Sequence, residues 1–156
     1  GLPRGPRAGL QGGVRVDEAV ERFGGFIDRH GFLSWLDVSL EAVEDGQAVM
    51  RVPYDEKLLN PGAETIHGGV ASTLIDTASG FALRTTFDDP AAARLTTTDM
   101  NVSYLRPARD DLVATADVVR AGGSMGVTDV TVTSTTPEGE EKAVAVGRTT
   151  YRLFRP

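Results

Sequence analysis

The sequence predicts an α+β domain in which one long helix packs on a single twisted antiparallel sheet. Three observations carry that prediction. From His67 to about Thr86 the chain is proline-free and repeats apolar residues with a period near 3.6, the longest helical pattern present. The residues after it switch to a period of 2 over four successive segments. No strand and helix patterns alternate as βαβ units, so the sheet is expected to be antiparallel with its helix on one face.

Residues Gly1 to Gly13 hold five glycines, two prolines and two arginines and almost nothing to bury. Residues 1–15 are therefore expected to be a flexible arm and residues 16–156 one folded domain. Asp17 to His30 reads as a helix, with Asp17 at the N-cap, Glu18 and Glu21 in the first turn, and Ala19, Val20, Phe23, Phe26 and Ile27 at helical spacing. Gly24-Gly25 weakens it and Gly31 is expected to end it. Ser34 to Glu44 and Gln47 to Pro53 have strand character around Asp45-Gly46, a hairpin turn signal. After the long helix, closed by Asp88-Asp89-Pro90, strands are expected at Leu95 to Leu105, Leu112 to Arg120, Met125 to Ser134 and Lys142 to Phe154. Turns at Arg109-Asp110-Asp111, Gly122-Gly123-Ser124 and Pro137-Glu138-Gly139 separate them, and the four read as an antiparallel meander.

Composition narrows the chemistry. The 156 residues carry a net charge of -6, and no stretch gathers Lys and Arg into the stripe that nucleic acid requires. There is no cysteine, and the two histidines, His30 and His67, stand 37 residues apart, so no metal centre is expected. No apolar run approaches a membrane span and no secretory layout opens the chain, so the expected location is the cytoplasm.

On a helical wheel Val70, Ala71, Leu74, Ala78, Phe81, Ala82 and Thr85 fall in a band about 100° wide, the width of a core-facing stripe. Asp76 lies opposite that stripe among Gly69, Ser72, Thr73, Ser79 and Gly80. An ordinary solvated face would carry Lys, Glu, Gln and Arg; Arg84 is the one long charged side chain on this helix. Asp76 is then either a solvated surface charge or an acid on a face open to a ligand or another backbone. His67-Gly68-Gly69 opens the helix, where the first N–H groups lack intrahelical partners and sit at the positive end of the dipole. Such N–H groups suit a carbonyl oxygen that gains charge during acyl transfer. The same residues also serve as a tight entry into a helix, with His67 purely structural.

Asn60-Pro61, the run from His67 to Gly80 with its acid nine residues after the histidine, and Thr97-Thr98-Asp99-Met100-Asn101-Val102-Ser103-Tyr104-Leu105-Arg106-Pro107-Ala108 together resemble the PaaI-like branch of the hotdog-fold acyl-CoA thioesterases. The likeness runs from about Phe32 to Phe154. It implies a hotdog fold, in which a twisted antiparallel sheet of five to six strands wraps the long helix, and hydrolysis of an acyl-CoA or related thioester without a cofactor. It further implies that the Gly68 N–H, introduced by His67, polarises the thioester carbonyl and that Asp76 is the general base or nucleophile. Thr97 falls where a strand hydroxyl helps hold the attacking water, and Asn60 where a loop amide meets water or thioester. Gly69 and Thr73 share the substrate side of the helix. The loop departs from the family pattern, since Asn60 stands seven residues before the histidine rather than six and Glu64 stands where glycine is common. Gly122-Gly123-Ser124 also lacks the Arg or Lys that meets the coenzyme A nucleotide in relatives, which leaves Arg106, Arg120 and Arg148 as candidates.

Two other functions fit a hotdog protein: a hydratase or dehydratase of acyl thioesters, whose Asp-x-x-x-x-His arrangement is not found before His67, and a non-catalytic acyl-thioester binding module. Phe32, Leu33, Trp35, Leu59 and Phe81 are either acyl-pocket residues or core. Gly68 and Asp76 lie eight residues apart on one helix, about 12 Å along its axis. That is too far to serve one carbonyl carbon, so a homodimer with antiparallel long helices and two composite sites is expected. The resemblance adds a homotetramer.

Overall fold

The computed structural model describes residues 16–156, and the arm expected at residues 1–15 lies outside them. In chain order come α1 (Val16–Asp28), α2 (Gly31–Trp35), β1 (Ser39–Glu44), β2 (Gln47–Val52), α3 (Gly68–Arg84), β3 (Arg94–Tyr104), β4 (Leu112–Ala121), β5 (Met125–Thr135) and β6 (Glu141–Phe154). Single helical turns at Glu56–Leu58 and Pro90–Ala92 flank α3.

The first helix ends two residues early, because His30 leaves it to cap the next one: its Nδ1 accepts the Leu33 N–H at 3.3 Å. Gly31 therefore opens α2 instead of simply closing a helix. Ser34 and Trp35, expected in a strand, belong to α2, and the chain reaches β1 only after Asp37, whose φ of 58 lies in the left-handed region. Leu33 and Leu36 are three residues apart and both buried, a helical spacing inside a run that also alternates.

The six strands form one sheet in the order β1-β2-β4-β5-β6-β3, every neighbouring pair antiparallel. The last three strands are the meander that their periodicity predicts. The expectation that β3 heads that meander is corrected: it pairs with β6 at the far edge, Arg94 opposite Phe154 and Tyr104 opposite Ala145. A period of 2 states which side chains share a face and says nothing of which strand lies alongside. Here α3 carries the chain from β2 to the far edge, and β4 returns to pair with β2.

The core lies between α3 and the concave face of the sheet. Ile75, Leu83 and Ser79 join the apolar stripe and are fully buried, so the buried arc is wider than expected. Ser79, assigned above to the open face, instead points at the sheet. Its Oγ donates to the Ile75 carbonyl at 2.7 Å and meets Thr128 Oγ1 at 2.6 Å, which in turn meets Thr149 Oγ1 at 2.6 Å. A sheet that curls around a helix covers more of it than a flat layer does, and the small polar residue is tolerated there because its hydroxyl is paired. Close approach is set by Gly126, where an added Cβ would stand 2.5 Å from Leu83 Cδ2.

Candidate active site

Both ends of the chemistry suggested for α3 are held by hydroxyl groups from the sheet. At the start of the helix, His67 is the N-cap, and its Nδ1 accepts the Gly69 N–H at 2.9 Å. A neutral imidazole in that role carries its proton on Nε2. Among the described residues nothing accepts the Gly68 N–H. The Tyr104 hydroxyl, from the end of β3, donates to the Gly68 carbonyl at 2.9 Å and also contacts Ser72 Oγ. Its ring lies where a Cβ on residue 68 would be 3.0 Å away, which fits glycine at that position.

The loop before α3 is closed by a bridge between Leu59 and Ile66. Inside it the Asn60 Nδ2 donates to the Thr65 carbonyl and hydroxyl, both at 3.2 Å. This brings Asn60, His67, Gly68, Tyr104 and Arg106 around one cleft of about 210 Å³.

Asp76 stands two turns further along. Thr97 Oγ1 donates to its Oδ1 at 2.6 Å, and the Tyr151 hydroxyl lies 2.7 Å from the same Oδ1 and 2.5 Å from the Asp76 backbone carbonyl. Thr97 and Tyr151 are directly opposite one another across the β3–β6 ladder, so one cross-strand pair delivers both contacts. Burial, and then the Asp76 charge, push the Tyr151 hydroxyl above the usual phenol range, so it stays a protonated donor. Asp76 opens into a second cleft of about 310 Å³ with His30, Phe32, Leu33, Ser72, Thr73, Thr77 and Met100. A carboxylate there can take a proton from water, and a free N–H at a helix start can polarise a carbonyl. The two groups open into different clefts of the same chain.

The sequence pattern of the thioesterase superfamily matches residues 63–140, half of the chain, from the loop before α3 to the end of the β5–β6 turn. A protein of Halobacterium salinarum named as an esterase is 48% identical over 147 residues, covering 92% of this chain and 97% of that one. The chain belongs to the thioesterase superfamily. Human acyl-coenzyme A thioesterase 13 is 31% identical over 118 residues, 74% of this chain and 79% of that protein. The solved structure of zebra fish thioesterase superfamily member 2 superposes with a TM-score of 0.75 at 28% identity, covering 91% of this chain and all of that one. The long helix wrapped by six antiparallel strands is the hotdog fold of these proteins, and the chain is a thioester hydrolase.

Within this thioesterase the residues singled out above fall into two groups and a remainder. Asn60, His67, Gly68 and Arg106 line one cleft; Asp76 and Thr73 line the other, with Thr97 joined to it through the carboxylate. The Gly69 N–H is taken by His67, and Thr73 Oγ1 donates to the Gly69 carbonyl at 2.9 Å. Arg120 and Arg148 line neither cleft, and Arg148 is paired with Asp129 at 2.7 and 3.0 Å. Of the apolar candidates, Phe32 and Leu33 line the Asp76 cleft, Phe81 is buried against Phe23, Leu59 is half-buried, and Trp35 is exposed beneath Lys57.

Tyr104, Tyr151 and His30 were not foreseen at the site. For Tyr151 a signal existed: in the alternation of the last strand it falls on the inward face with Thr149 and Leu153, and a buried tyrosine hydroxyl needs a partner. Among the described residues no helix is long and apolar enough to cross a membrane.

Proposed function

We propose that the protein hydrolyses acyl-CoA thioesters in two composite sites of a homodimer, the Gly68 N–H coming from one protomer and the Asp76 carboxylate from its partner. The carrying observation is the separation of those groups into two clefts of one chain. Eight residues of helix put them about 12 Å apart. The lean of side chains toward the helix start recovers only ~2–3 Å, whereas one carbonyl needs both within about 3–3.5 Å. Two antiparallel copies of α3 remove the discrepancy. Strand β3 supports the pairing, because its outer edge carries no partner strand among the described residues and nine of its eleven residues are exposed.

In this reading the thioester oxygen accepts the Gly68 N–H, and Asn60 lies beside it. A water placed by Asp76 Oδ2 attacks the carbonyl carbon and gives its proton to that carboxylate. As the tetrahedral intermediate collapses, the C–S bond breaks and Asp76 returns the proton to the leaving sulfur, yielding free acid and thiol. Arg106, at the rim of the Gly68 cleft, is the candidate of the three arginines best placed for a coenzyme A phosphate. A thiol-release assay over short, medium, long and aromatic acyl-CoAs tests the reading. Turnover of at least one class by the wild type, lost in Asp76→Asn, is expected; an Asp76→Asn protein with wild-type turnover would overturn it.

A further inference from the structure

We infer that Tyr151 is a positioning residue for this reaction, holding Asp76 from behind so that its Oδ2 is the oxygen turned to the cleft, and that Gly80 exists to admit it. The inference rests on the role proposed for Asp76. Three observations converge on it. The Tyr151 hydroxyl reaches Oδ1 at 2.7 Å and Thr97 reaches the same oxygen at 2.6 Å, and neither residue lines the cleft into which Asp76 opens. With two donors on Oδ1, none of the described residues donates to Oδ2. The hydroxyl has one proton and two acceptors in range, and the ionised carboxylate is a stronger acceptor than the Asp76 carbonyl, which lies at 2.5 Å and also takes part in the helix ladder. The proton therefore serves the carboxylate.

Gly80 supplies the third observation. A Cβ there would stand 3.3 Å from the Tyr151 oxygen, so any side chain pushes the hydroxyl outward by a few tenths of an ångström. This gives the glycine a task quite separate from subunit approach. The Tyr151 ring packs with Leu83, Phe87 and Leu153, a setting that phenylalanine keeps, so the hydroxyl can be removed alone. Tyr151 lies beyond the residues that the superfamily pattern matches, in the last strand.

Asp76 meets Thr97 from β3 and Tyr151 from β6, two hydroxyls that also touch each other, and shares its cleft with His30 from the turn before α2, while the charge of Arg84, two turns on along α3, acts on Tyr151. Neither His30 nor Arg84 changes in Tyr151→Phe. The experiment compares Tyr151→Phe, Gly80→Ala and Asp76→Asn with the wild type in steady-state kinetics and in the ¹³C carboxyl resonance of Asp76 at a fixed pH. For Tyr151→Phe we expect kcat lower by about tenfold or more with KM within about twofold. Its Asp76 carboxyl resonance should move from the wild-type position, because the Tyr151 donor to Oδ1 is gone. Gly80→Ala should lower kcat in the same direction while melting no earlier than the wild type, since alanine favours the helix. A Tyr151→Phe protein with an unchanged Asp76 carboxyl resonance and wild-type kcat would overturn the inference. So would kcat losses in both variants that merely track lost folded protein. If Asp76→Asn hydrolyses thioesters normally, the proposed reaction fails, and the carboxyl resonance of the Tyr151→Phe protein still decides whether Tyr151 holds Asp76.

Discussion

One oxygen of Asp76 accepts two hydroxyl groups and the other accepts none among the described residues, and this asymmetry sets what substitutions at the residue should do. Asp76→Asn keeps an acceptor for Tyr151 and Thr97 and replaces only the oxygen facing the cleft. Thiol release should fall by at least ~10²-fold, the scale of a lost general base, while the melting temperature stays within a few degrees. Parallel kinetics and calorimetry check it. Tyr151 supplies a second expectation, through linkage. Its hydroxyl is held protonated by burial, first of all, and by the Asp76 charge, so its folded pKa lies above the unfolded value of about 10. Below pH ~10 both states hold the proton and stability is indifferent to it; above, only the unfolded chain releases it, and stability falls by at most about 1.4 kcal/mol per pH unit. Denaturant titrations from pH 9 to 11 should show that extra slope in the wild type and not in Tyr151→Phe. At this scale Asp76 and Gly68 were legible, because both sit in one short run where helix geometry can be applied. The inward face of Tyr151 was legible in the alternation of the last strand, but its contact with Asp76 was not, because that contact spans 75 residues and depends on where β6 lies.

At the scale of elements, α3 and the sheet are fitted through a few small residues. Gly126 faces Leu83 so closely that a methyl group would overlap Cδ2. Gly126→Ala should therefore cost about 1–3 kcal/mol through overpacking. Chemical denaturation will measure it, and a variant as stable as the wild type would show that Leu83 moves aside freely. Strand boundaries in the last third of the chain were legible to within about a residue or two, because alternation there is uninterrupted. The position of β3 beside β6 was hidden, since its pattern is compatible with either neighbour. The burial of Ser79 was hidden for a related reason. A wheel with a stripe of normal width places it outside, and only the curl of the sheet, with Thr128 and Thr149 waiting on it, brings it in. Likewise the stretch from Ser34 to Val38 alternates like a strand, yet His30 as a cap commits its first residues to a helix.

For the whole molecule, the proposed dimer leaves no chain with a complete site of its own. Gly68 lies with Asn60 in one cleft, and Asp76, held by Thr97 and Tyr151, opens into the other. The exposed edge of β3, which also carries Thr97, gives a copy of the chain a strand to pair with. The most direct test mixes two inactive proteins. Asp76→Asn lacks the acid, and Gly68→Pro lacks the N–H at a first helical position, where proline is accepted; both must first be shown to fold, with Tyr104 yielding slightly to the new ring. Heterodimers isolated with two different affinity tags contain one intact composite site of two, so they should recover about half of the wild-type thiol release. Verified heterodimers with no activity above that of their parents, or wild-type protein that is active while sedimenting as a monomer, would rule out composite sites.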